Sequence, residues 1–77
     1  MKYSIDLIEE LIVLSMFDLA NHQAGLKIHH SAEPIIIAAA ERLHSKGLIS
    51  QKDGGYLTHL GIEAAEHAQS ALNILGS

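Results

Sequence analysis

Residues Gly47 to Thr58, GLISQKDGGYLT, restrict the fold more than any other stretch of this chain. Leu48–Gln51 and Tyr56–Thr58 are short strand-forming runs. Lys52-Asp53-Gly54-Gly55 between them reads as a tight turn, because glycine supplies the positive φ that a hairpin turn requires. Gly47 suits the left-handed position just past a helix, where Leu48 folds back toward Leu43. Thr58 is placed to cap a following helix, its hydroxyl accepting from an amide that the first turn leaves unpaired. The stretch predicts a β-hairpin held between two helices, with little slack at either end.

The flanking segments supply the helices. The first is predicted from Ile5 to Ala20, with Ser4 as N-cap and Tyr3 stapled across the cap onto Ile8. Apolar residues at 5, 8, 12, 16 and 19 share one stripe, which positions 7, 11 and 14, then Val13, Phe17 and Ala20, widen. Only Asp6, Glu9, Glu10 and Asp18 interrupt it, and Glu9 and Glu10 read as solvated charges on an outward face. Leu26-Lys27-Ile28-His29 alternates and predicts a short strand near 26–29 with Leu26 and Ile28 inward. A second helix starts after a Ser31 cap, or after Glu33 with Pro34 at its first position, and ends at Gly47. The third follows Thr58, presents Leu60, Ala64, Ala68, Leu72 and Leu75, and stops at Gly76. The expected architecture is one α+β domain over residues 1–77, mainly helical. It has three main helices and a β-hairpin wing between the last two.

The segment Glu41 to Ala68, ERLHSKGLISQKDGGYLTHLGIEAAEHA, resembles the winged-helix pattern of the MarR and PadR families of bacterial regulators. In that pattern a helix ends in leucine, two residues and Lys-Gly-Leu-Ile; a wing follows; then Leu-Thr, two residues and Gly open the next helix. The matching positions are Leu43, Lys46, Gly47, Leu48, Ile49, Leu57, Thr58 and Gly61. The whole chain is also similar to a small proteobacterial family labelled DNA-binding by similarity. The resemblance implies a winged-helix-like fold and a DNA-binding, regulator-like role. Two departures qualify the function. Only residues 21–31 remain for the helix that normally precedes the recognition helix, so that element is short or missing. The presumed recognition helix also places Leu43, Ala40, Ala39 and Ile36 inward at 100° per residue. Its outer side then carries Pro34, Ile37, Ala38, Glu41, Arg42, His44 and Ser45, whereas base edges are read by Arg, Lys, Asn, Gln, Ser and Thr.

Charge points the same way. The formal net charge is −4, and the cations Lys27, Arg42, Lys46 and Lys52 lie between positions 21 and 58 beside Glu33, Glu41 and Asp53. If DNA is a partner, Lys27, Arg42, His44, Lys46, Gln51 and Lys52 are the candidate contacts, mainly to phosphate. Affinity from so few cations falls steeply with salt. The same residues also read as a solvated surface. The alternative function is a protein–protein interaction or dimerisation module, with Val13, Phe17, Ile37 and Ala38 as candidate interface residues. A homodimer or a protein partner is expected, because the apolar surplus exceeds what one small core covers.

Other chemistries find little support. The chain has no cysteine, so disulfides and thiolate metal sites are excluded. Of the six histidines, His29 and His30 are adjacent, while His59 with Glu63 makes at most half a zinc site. No metal or cofactor is expected. With no nucleophile elbow and no phosphate-binding loop, no enzymatic activity is expected either. Asp6, Glu9 and Glu10 precede the apolar run 11–17, where a signal peptide would be basic, and the run is too short for a bilayer. A cytoplasmic protein without a membrane partner is the expectation.

Overall fold

The structure, a computed structural model, describes residues 4–76. The stapling of Tyr3 onto Ile8 lies outside the described residues. The elements are α1 (Ile5–Leu14), β1 (Leu26–Lys27), α2 (Pro34–Ser45), β2 (Ile49–Gln51), β3 (Gly54–Leu57) and α3 (His59–Leu75). The three antiparallel strands lie in the order β1-β3-β2, with Leu26 opposite Gly55 and Ile49 opposite Leu57. This is an α+β, mainly helical, winged-helix-like arrangement.

α1 begins as expected, with the Ser4 hydroxyl accepting from the Leu7 amide at 3.2 Å. It ends six residues earlier than the apolar run suggests, at Leu14 rather than Ala20. Short polar side chains redirect the backbone there. Ser15 Oγ donates to the Ile12 carbonyl at 2.6 Å. Asp18 Oδ1 then accepts from the Ala20 amide, and Asn21 Oδ1 from the Gln23 amide, each making an Asx turn. Between α1 and α2 the described residues hold turns and β1 but no helix, so the extra helix of the winged-helix pattern is missing. β1 is two residues long, although Ile28 extends its pairing by donating to the Asp53 carbonyl at 2.8 Å, and Ile28 is buried as expected.

α2 takes the second of the two predicted starts, with Glu33 as N-cap and Pro34 first in the helix. Its end is a Schellman stop: Leu48 N donates to the Leu43 carbonyl and Gly47 N to that of His44, both at 3.0 Å, with Gly47 at φ 80°. The hairpin turn is Lys52-Asp53 alone, and Gly54 and Gly55 belong to β3, not to the turn. At Gly54 the reason is packing: φ is 123°, and a Cβ there would stand 2.2 Å from the Leu26 carbonyl oxygen.

The core joins Val13, Leu14 and Phe17 to Ala39, Ala40, Leu43, Ile28, Ile49 and Ala65. α2 faces it with the predicted residues, Ile36 being half-buried. α1 and α3 are rotated from expectation. Val13 and Phe17, proposed for an interface, are core residues at 0% and 5% exposure, whereas Ile5, Ile8, Leu11 and Ile12 are 44–73% exposed. On α3, Gly61, Ala65 and Ala68 are buried, while Leu60, Leu72 and Leu75 are exposed. Helical periodicity shows which residues share a face but not which way that face turns. No described helix is long and apolar enough to cross a membrane.

Candidate interface surfaces

The six residues proposed as DNA contacts do not form one basic surface. Arg42 and Lys46, one turn apart at the end of α2, turn toward α1 and meet Glu10. Arg42 Nε donates to Glu10 Oε2 at 2.8 Å, and Lys46 Nζ donates to Glu10 Oε1. Arg42 Nη2 also donates to the Asp6 carbonyl at 3.2 Å and lies 3.8 Å from a Glu9 carboxylate oxygen. Glu10 is 4% exposed, not solvated as its sequence setting suggests. Burial alone would raise its carboxyl, but hydrogen bonds from Lys46 and Arg42, with their charges, hold it below the ordinary glutamate range.

Lys27 is also committed, in an exposed pair with Asp53 across the β1–β3 edge, and its hydrogen bond holds the Asp53 carboxyl low. His44 is half-buried on α2. Gln51 and Lys52 remain exposed near the hairpin turn, and among the described residues Lys52 takes part in no ion pair. Lys27 and Lys52 do share a shallow cleft with His29 and His30, but Glu41 and Asp53 line it too, so its formal charges cancel. Among the described residues no three His, Asp or Glu side chains gather as metal ligands, and His59 and Glu63 stand on α3 without a third.

Of the proposed interface residues, Val13 and Phe17 are used up by the core, and Ile37 is half-buried against it. Ala38 is half-buried beside Arg42 and Lys46. Most of the exposed apolar surface lies elsewhere, on α1 and α3. Leu11 stands between two mainly apolar grooves, one lined by Leu7, Leu14, Leu43 and Leu48 with the Glu10–Lys46 pair at its edge, the other by Ala64, Ala68, Ala71, Leu72 and Leu75 with His67.

Sequence reasoning missed Glu10 as a structural residue, although a signal for it exists. Glu10, Val13, Leu14 and Phe17 stand at i, i+3, i+4 and i+7, so the helix phase that buries the one aromatic of α1's run also turns Glu10 inward. Gln69 was missed as well. From α3 its Nε2 donates to the Phe17 carbonyl at 2.8 Å and to that of Leu14 at 3.2 Å, closing the end of α1. Nothing local to position 69 announces that role.

A family of unknown function, DUF5669, matches residues 1–76, nearly the full length. The chain belongs to DUF5669. No curated protein and no solved structure matches it. In this DUF5669 chain the Lys46-Gly47-Leu48 and Leu57-Thr58…Gly61 segments form one hydrogen-bonded joint. Thr58 Oγ1 donates to the Gly47 carbonyl at 2.6 Å and accepts from Gly61 N at 3.1 Å, while Thr58 N donates to the Leu48 carbonyl at 3.1 Å. The residues that carry the winged-helix resemblance are therefore those that join α2, the hairpin and α3.

Proposed function

We propose that this chain is a non-enzymatic, cytoplasmic protein-interaction module on a winged-helix-like scaffold, and that α2 does not read DNA sequence. The carrying observation is the division of labour on α1. Its buried carboxylate, Glu10, holds the two cations of α2, while its outward side offers only aliphatic groups. Cations engaged by a buried acid are poor phosphate ligands, because binding DNA would break one set of charge-assisted bonds to make another. Contiguous exposed apolar surface, in contrast, is what protein partners recognise.

Amide NMR titration with duplex DNA at low salt tests this reading. Chemical-shift changes absent from the outer face of α2 (Ile35, Ala38, Glu41) support it, whereas salt-sensitive changes along that face overturn it. A second reading, weak phosphate contact by the wing tip, is favoured by exposed Gln51 and unpaired Lys52. It corresponds to changes confined to residues 51–55 that vanish as salt rises.

A further inference from the structure

At 100° per residue, Ile5, Ile8, Leu11 and Ile12 fall within an arc of about 120° on the side of α1 turned away from Glu10 and Val13. α3 adds to this surface for a different reason. Its inward stripe, Gly61, Ala65 and Ala68, continues in register to Leu72 and Leu75, which are 50% and 82% exposed. The stripe thus runs on past the part of the chain that covers it. Between the helices lies an apolar groove of about 380 Å³ floored by Ala64, Ala68 and Ala71.

We propose that this α1–α3 face docks a second copy of the chain in an isologous dimer; the proposal rests on the protein-interaction reading above. Three observations select that occupant. The first is area. The chain exposes 5318 Å², while a compact monomer of 8.3 kDa exposes roughly 4,600 Å². The excess, roughly 700 Å², is close to the ~800 Å² that each partner buries in a standard interface. The second is charge. Asp6 and Glu9 are drawn round α1 toward Arg42, and Glu63 and Glu66 lie round α3, so the α3 groove carries no carboxylate, while Glu10, at the edge of the neighbouring groove, is neutralised by Arg42 and Lys46. Two copies of a chain of net charge −4 can meet there without setting acid against acid. The third is shape. Leu11 is a ridge with a groove beside it, and a twofold axis pairs such features by seating each ridge in the other copy's groove.

Sedimentation velocity across a dilution series tests the proposal on the wild type, Ile8→Glu, Leu72→Glu and the control Ile35→Glu, an exposed isoleucine on α2. The wild type and the control are expected to sediment as dimers. Ile8→Glu and Leu72→Glu each occur twice in an isologous interface and should each raise the dissociation constant at least about 100-fold. The two substitutions stand on different helices at half-exposed positions, so either gives the result if the other perturbs folding. A wild type that stays monomeric up to about 0.5 mM overturns the second copy as occupant. So do both face variants dimerising normally. Methyl broadening by a paramagnetic cosolute then separates the two failures. Accessible Ile8 and Leu72 methyls in a monomer refute the dimer alone, while protected ones mean that α3 repacks over α1 and refute the interaction reading as well.

Discussion

Thr58 and Gly61 do more for this fold than their size suggests. Thr58 makes three hydrogen bonds that tie the first turn of α3 to the exit of α2. Gly61 lets the two backbones touch, since a Cβ on it would stand 1.9 Å from the Leu48 carbonyl oxygen. Main chain cannot yield as a flexible side-chain tip does, so Gly61→Ala should destabilise by about 1–3 kcal/mol. Thr58→Ala, which removes the cap, should cost about 1 kcal/mol. Urea unfolding followed by circular dichroism measures both. Glu10 contributes to the acid response. Its folded-state pKa lies below its unfolded value, so the unfolded chain takes up the proton first. The stabilisation is therefore fully present above the unfolded value, about 4.3, and drains away as pH falls through the lower folded value. Glu10→Gln should lower stability at neutral pH by about 2 kcal/mol and flatten the dependence of the urea midpoint on pH below about 5. A wild-type midpoint that does not move with acid would contradict the buried triad.

At the scale of elements, the sequence made the hairpin, the three helices and both inner caps readable, because glycine conformation and threonine capping are local chemistry. The stop of α2 at Gly47 and the start of α3 at Thr58 fall where the residues predict. Orientation was not readable. Ile5, Ile8 and Ile12 form a stripe as regular as a core stripe, yet they lie outward, because α2 approaches the opposite side and brings Arg42 and Lys46 to Glu10 from 32 and 36 positions away. That pairing leaves no mark on local periodicity. The end of α1 has the same character. Ser15 and Asp18 begin the stop, but Gln69, more than 50 residues distant, completes it. Gln69→Leu should leave the Phe17 carbonyl without its Gln69 donor and the Leu14 carbonyl with only the Phe17 amide at 3.4 Å, and cost about 1–3 kcal/mol. Hydrogen exchange should locate the loosening at the α1 end, with faster exchange at Ser15, Met16 and Phe17, whose amides form its last turn. Unchanged exchange there would show that α1 ends without help from α3.

At the scale of the whole molecule, supply and placement of apolar groups do not match. Nearly half the residues are hydrophobic, yet the core rests on few large side chains, with Leu43, Ile49 and Val13 the largest that are fully buried. Three alanines, Ala39, Ala40 and Ala65, occupy central positions and bring the helices close while burying little area apiece. Larger aliphatics stand outside on α1 and α3. A single core at this size supplies only about 3–5 kcal/mol, so a chain that leaves its isoleucines and leucines in water depends on whatever covers them. If the cover is a second copy, folding and association are one equilibrium, and stability depends on chain concentration. A tenfold rise in concentration should then lift the thermal midpoint by about 4 °C. Leu72→Glu should remove that slope and lower the midpoint at every concentration, since it loses the contribution of association and leaves the monomer core intact. Differential scanning calorimetry over a dilution series reads both quantities. A midpoint independent of concentration in the wild type would mean that the small alanine-lined core holds the fold unaided, with the aliphatic face of α1 contributing nothing to it.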